Sequence, residues 1–242
     1  MFCFHDTRTR IGVAFTDRHG GVSAAPYDAL NLGMASGDDP AAVEHNYDLV
    51  ADRLGAQSEQ VARMHQVHGS DVAVVREPPG RDDLPKVDAM VTVEAGLLLC
   101  VRAADCVPVL LADPGAGVVG CAHAGRSGLS DGVVPNVVET MRAQGAQAIT
   151  GWVGPHVCGR CYEVPEEMRA DVSGRVPETH STTSWGTPAL DLGAGVEAQL
   201  RAAGCRLAEV PRLCTVESPD LYSHRRDGQL SGRSAGLVWM LP

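Results

Sequence analysis

The chain has 242 residues, 44% of them hydrophobic, and a formal net charge of -10 at pH 7. That is enough apolar material for a substantial core, and the negative field, with no basic run interleaved with aromatics, argues against nucleic acid as a partner. The N-terminal MFCFHDTRTR lacks a signal-peptide core and no window approaches the roughly eighteen uninterrupted apolar residues of a membrane span, so the expectation is one cytoplasmic domain over residues 1–242 with no membrane partner.

In chain order, IGVAFTDRHGGVS predicts a short strand running into a turn at Gly20-Gly21, where glycine tolerates positive φ. GDDPAAVEHNYDLVADRLG predicts a helix: Asp39 caps it, Pro40 suits the first position, Val43, Tyr47, Val50 and Leu54 recur at helical spacing, and Gly55 ends it. Strand-like runs follow at Val61 to Met64, Val72 to Arg76, Met90 to Val93, Leu97 to Val101, Val107 to Ala112 and Val118 to Ala122. Further helices are predicted over Val133 to Gln144 and Gly195 to Ala203, and AGLVWML predicts a closing core strand. Strands in groups with helices between the groups indicate an α+β layered fold with mixed sheets.

Of the eight cysteines, Cys3, Cys100, Cys205 and Cys214 stand singly in apolar or mixed surroundings and are assigned to packing. In a reducing compartment no disulfide framework is expected. The remaining reactive groups concentrate in MHQVHGSDV, AADCVPVLL and GCAHAGRSG, which supply His65, His68, Cys106, Cys121 and His123 at predicted strand ends. Two histidines and a cysteine form a known zinc set with an open fourth position, while a histidine or cysteine at a strand end also serves as an ordinary packed residue. Composition and spacing leave both readings open. CGRC, at Cys158 to Cys161, lacks a second closely spaced Cys or His pair that would complete a four-ligand set, and is read as a loop packed near the site, with His156 in the layer behind it.

QVHGSDV, ADCVPVLLAD, AHAGRSG, GPHVCGRCYEV and LYSHRRDGQLSGRSAGLVW, in this order, resemble the YfiH family, known as laccase-domain or polyphenol-oxidase proteins and described as purine nucleoside phosphorylases. DRHGGVSAAPYDALNLG and GDDPAAVEHN extend the similarity to nearly the whole chain. The resemblance implies an α/β/β/α sandwich with mixed β-sheets. It also implies a catalytic zinc held by His68, Cys106 and His123, with copper the second choice.

The activity so implied is phosphorolysis of adenosine, inosine and methylthioadenosine, with adenosine deamination beside it. The partners would be a purine nucleoside and phosphate. Arg225 and Arg226, in SHRRDG, are the expected phosphate-binding groups, because guanidinium grips phosphate through paired hydrogen bonds. Arg126 is a further candidate: many members read HAGWRG where this chain reads HAGRSG, so Arg126 and Ser127 replace the usual tryptophan and arginine. The alternative function is a cysteine-dependent amide hydrolase acting on peptidoglycan precursors, with Cys106 as nucleophile. Multicopper oxidation, which relies on His-x-His pairs, finds none among the nine histidines.

Overall fold

The computed structural model describes residues 1–7, 10–80 and 83–241, and folds them into two mixed sheets packed face to face with helices outside both. In chain order the elements are β1 (Phe2–Asp6), β2 (Ile11–Thr16), α1 (Pro40–Arg53), β3 (Val61–Ala62), β4 (Val72–Val74), β5 (Ala89–Thr92) and β6 (Leu98–Ala103). A hairpin of β7 (Val107–Asp113) and β8 (Val118–Ala124) follows, then α2 (Arg126–Ser130), α3 (Val133–Ala143), β9 (Thr150–Val153) and α4 (Glu166–Arg175). The last part holds β10 (His180–Thr182), β11 (Pro188–Leu190), α5 (Leu192–Ala202), β12 (Arg206–Leu207), α6 (His224–Asp227) and β13 (Ser234–Met240).

One sheet runs β12-β9-β7-β8-β5-β4 and the other β1-β2-β13-β6-β3, while β10 and β11 form a separate hairpin. In β7, Val107, Val109 and Leu111 face α3 and α5, whereas Leu110 and Ala112 face the opposing sheet with Phe15, Leu99 and Val238. Both faces are covered, so every residue of β7 and β8 is buried and the period of two, real in space, is hidden in the sequence as a continuous apolar run. The outer face of the second sheet, with Leu98, Leu237 and Trp239, packs on Val43, Tyr47 and Val50 of α1. The layers are therefore α/β/β/α, as the resemblance implied.

The sequence reading of α1 holds in detail: the Asp39 side chain accepts from the Ala41 amide at 3.0 Å, Pro40 opens the helix and Gly55 follows its cap with φ 73°. The run at Val61 to Met64 pairs only through Val61 and Ala62, because the chain then leaves the sheet edge to enter the loop that carries His65 and His68. Among the elements not foreseen, α4 has one buried residue, Val172, so it lacks the apolar stripe that announces a helix.

Asn46 of α1 fixes the long segment between β2 and that helix. Its amide donates to Ser23 Oγ at 2.9 Å, Ala29 O at 3.2 Å and Asn31 O at 2.8 Å, and its Oδ1 accepts from Val22 N at 2.9 Å. Asn46 itself is fully buried, and an unpaired polar group would be costly there. Asn46→Ala is expected to lower the unfolding free energy by about 3 kcal/mol, read as a fall of about 10 °C in Tm by thermal denaturation.

Candidate functional site

His68, Cys106 and His123 arrive from three places: the loop after β3, the first turn before β7 and the penultimate position of β8. Their donor atoms all lie within 4.8 Å of one another, and the two imidazoles meet edge to face with centroids 4.9 Å apart. One donor and one neighbour of a donor take backbone conformations that L side chains rarely adopt, His68 with φ 61° and Asp105, next to Cys106, with φ 94°. In both cases a carboxylate network holds the backbone there.

Asp88, fully buried at the entrance to β5, accepts from the amides of Val67 at 3.0 Å, His68 at 3.0 Å and Gly69 at 2.7 Å, and from His123 Nδ1 at 2.8 Å. Its own carbonyl takes the His123 amide at 2.7 Å. Because a carboxylate only accepts, Nδ1 of His123 carries the proton and Nε2 is left for Cys106 or a ligand. Asp105 does the same on the other side: Oδ1 accepts from Thr215 Oγ1 at 2.6 Å and Ser223 Oγ at 2.7 Å, and Oδ2 from the Arg225 amide at 2.5 Å.

Burial acts to raise the Cys106 thiol, but the His123 charge and hydrogen bonds from both histidines outweigh it and bring the pKa down to about 6. Burial would lower His123, yet the Cys106 thiolate and Asp88 lift it to about 9. Asp88 is held below the ordinary carboxylate range: burial opposes this, and the His123 ring and the loop amides prevail. Near neutral pH the centre is thus a thiolate beside an imidazolium, and both are potential metal ligands once His123 gives up its second proton.

The centre opens into a cavity of about 630 Å³ whose wall includes Arg102, Arg225, Arg233 and Tyr162, within the range for small-molecule sites. Arg225, expected from the sequence, projects into it with its guanidinium 4.9 Å above the Tyr162 ring. Arg226 turns away: it donates to the carbonyls of Thr215 at 2.8 Å, Ser218 at 2.9 Å and Leu221 at 2.7 Å, and does not line the cavity. Arg126 opens α2 outside the cavity lining. His65 lines the cavity without joining the three donors, and Cys121 sits two residues before His123 on the face buried between the sheets.

His156, expected behind the site, bonds Gly154 O at 2.7 Å and faces a different cavity. Cys214 corrects the sequence reading. Rather than packing alone, it gathers with Cys158, Cys161 and Glu217, which supply the partners that CGRC lacked in the sequence. Asp88, Arg102 and Arg233 were missed. The one local signal for Asp88 is an acid directly abutting an apolar strand in KVDAMV, a place where a charge needs a partner.

Residues 12–241 match the model of a family described as multi-copper polyphenol oxidoreductase laccase. The chain is 60% identical over 230 residues to a purine nucleoside phosphorylase of Streptomyces griseus, covering 94% of this chain and 93% of that protein. It is 46% identical over 233 residues to a purine nucleoside phosphorylase of Mycobacterium tuberculosis, covering 96% and 92%. The crystal structure of YlmD from Geobacillus stearothermophilus superposes with a TM-score of 0.86 at 32% identity, covering 96% of this chain and 93% of that one. That of YfiH from Bacillus licheniformis gives 0.87 at 26% identity, with 98% of each covered.

In metal-free protein, alkylation of Cys106 by iodoacetamide is expected to rise with pH through a midpoint near 6. In Asp88→Asn the midpoint moves upward, because the buried imidazole has lost the carboxylate that keeps it protonated. The same variant tests stability. Ionised Asp88, with its folded pKa depressed, stabilises the fold above about pH 4, and this contribution is lost as the pH falls through the folded value. Urea titrations should show that acid slope in the parent and a shallower one in Asp88→Asn.

Proposed function

We propose that this chain, which belongs to the laccase-like YfiH family, is a zinc-dependent phosphorylase of the purine nucleosides adenosine, inosine and methylthioadenosine, with adenosine deamination as a second activity of the same site. What supports the reading is one juxtaposition: the two-histidine, one-cysteine centre and the guanidinium of Arg225 face a single cavity of about 630 Å³. Relatives named purine nucleoside phosphorylase, among them one 60% identical, give the nucleoside its priority.

The donor chemistry fits zinc. The Cys106 thiol is lowered towards its thiolate by the two histidines, His123 is oriented through Nδ1 by a buried carboxylate, and all three donor residues line the open cavity, so a zinc held by them would be accessible to water or substrate. When bound, zinc supplies a Lewis acid and a binding position for water or substrate. The family description names copper oxidation, but the two histidines and one cysteine here are too few to hold the several copper ions of that chemistry.

In phosphorolysis a phosphate oxygen forms a bond to the anomeric carbon of the ribose as the bond from that carbon to the purine nitrogen breaks. The purine leaves with the bonding pair and takes up the proton that the entering hydrogen phosphate gives up. The chain must therefore hold an anion beside the sugar. Among the described residues Arg225 is restrained by its backbone and the Tyr162 ring, so its guanidinium hydrogens remain to grip phosphate. Arg102 and Arg233 add positive charge to the same wall, each already anchored to a backbone carbonyl. In deamination, water replaces the purine amino group and ammonia leaves, at a different carbon of the same bound nucleoside.

A second reading, the cysteine amide hydrolase, is favoured by the Cys106, His123 and Asp88 order, in which a thiolate, a base and its orienting acid are aligned. Zinc ligation would use up that thiolate, so the two readings exclude each other.

Incubation with each nucleoside, with and without phosphate, separates them. Free base plus ribose 1-phosphate only when phosphate is present supports phosphorolysis, and inosine from adenosine without phosphate supports deamination. No turnover of any nucleoside, together with Cys106-dependent cleavage of an amide-linked cell-wall precursor, would establish the hydrolase instead. Arg225→Ala is expected to raise the phosphate concentration for half-maximal rate by about ten- to a hundredfold. Arg226→Ala should leave it unchanged and lower stability by about 2 kcal/mol, because its bonds are to carbonyls of its own loop.

A further inference from the structure

The sequence holds two half-motifs of equal spacing, Cys158-Gly-Arg-Cys161 and Cys214-Thr-Val-Glu217, and the fold lays one against the other. One donor atom from each of Cys158, Cys161, Cys214 and Glu217 lies within 4.8 Å of all the others. The cysteines are free thiols, not disulfides. A parallel bridge between His156 and Cys214 aligns the two segments, with the Thr215 amide bonding His156 O at 3.1 Å. The Cys158 amide donates to Cys214 Sγ at 3.4 Å, which ties the two half-motifs together at the sulfur. In the first half-motif the chain turns back on itself, with the amides of Cys161 and Tyr162 bonding Cys158 O at 2.9 and 3.0 Å, and so presents both its sulfurs to one point.

From this geometry we propose a second metal site, separate from the His68, Cys106 and His123 centre, in which Cys158, Cys161, Cys214 and Glu217 bind one zinc ion. Three soft sulfurs and a carboxylate select a thiophilic divalent cation, and four protein donors close the coordination shell, which is the pattern of structural rather than catalytic zinc. Cys161 is buried while Glu217 is exposed and Cys158 and Cys214 border a cavity of about 600 Å³, so the ion has an entry path. Arg160, 3.5 Å from Glu217, offsets part of the negative charge of the ligand set.

The site is placed to act as a clamp behind the wall of the first cavity. Tyr162 directly follows Cys161, Thr215 directly follows Cys214 and bonds Asp105, and the second segment leads on to Arg225, which stacks on Tyr162. Four ligands from two loops would therefore fix the relative position of the aromatic and the cation that line the substrate cavity.

Elemental analysis of protein purified under reducing conditions without chelators tests this, combined with thiol titration of the unfolded chain. The expected result is about two zinc ions per chain, falling to one in Cys158→Ser and to a different one in His68→Ala. Cobalt(II) loaded into His68→Ala should give intense sulfur-to-metal charge-transfer absorption, and this should be lost in the further variant Cys158→Ser. Should Cys158→Ser fail to fold, the ion retained by His68→Ala decides the matter. The proposal is overturned if His68→Ala retains no metal, or if two fewer thiols titrate than the eight in the sequence, the mark of a disulfide within the cluster. One ion kept by His68→Ala and lost with Cys158→Ser would uphold the clamp while removing zinc from the first centre, so the two readings stand or fall apart.

Discussion

The carboxylate of Asp88 accepts three successive amides of the loop after β3 and the Nδ1 proton of His123, while its carbonyl accepts the His123 amide. The loop after β3 would otherwise be free to drift, whereas His123 already sits in β8, paired on both sides, and only its ring needs orienting. The loop would not keep His68 at positive φ without acceptors for its amides, and the His123 ring would have two equivalent orientations. A buried anion with fewer partners would be neutralised or expelled. Its full complement of donors converts a desolvation cost into a constraint that sets two of the three donor side chains at once.

Asp105 repeats the device on the opposite wall with different partners. It joins the turn before Cys106 to Thr215, Ser223 and the Arg225 backbone, and it takes the positive φ itself, directly before the donor Cys106. The rigid part of the molecule, the pair of sheets with β7 and β8 at the centre, supplies the places where these carboxylates are anchored. The site is then assembled from loops whose positions are dictated by hydrogen bonds rather than by apolar burial, a division of labour that allows the core to be dense and the cavity polar.

Much of the fold could be read directly. The first helix has a cap, a proline and an apolar stripe, and the hairpin of β7 and β8 is two apolar runs of strand length around a turn. The three donors were found through the motifs around His68, Cys106 and His123. What escaped reading depends on contacts between distant residues. Asp88 lies 35 residues from His123, and Cys214 and Glu217 each lie 56 residues from their partners in CGRC, distances at which no local pattern survives. Arg225 and Arg226 are neighbours with opposite fates, because the short α6 directs one guanidinium to the cavity and folds the other onto carbonyls of its own loop. Sequence identifies such a pair but not its division.

The glycines of the HAGRSG motif show where this architecture can change. A Cβ on Gly125 would stand 3.0 Å from His68 Cδ2 and 3.2 Å from Cys106 Sγ, and one on Gly128 would meet the carbonyl oxygen of Gly69 at 2.6 Å. Both positions are closed by backbone or by the donors themselves, so no side chain can be accommodated without displacing the centre. Arg126 and Ser127, between them, are half-exposed and outside the cavity lining. The motif is thereby divided: a side chain at either glycine would press on the donors or on the loop that carries His68, whereas substitutions at the two residues they enclose would leave the wall of the cavity untouched.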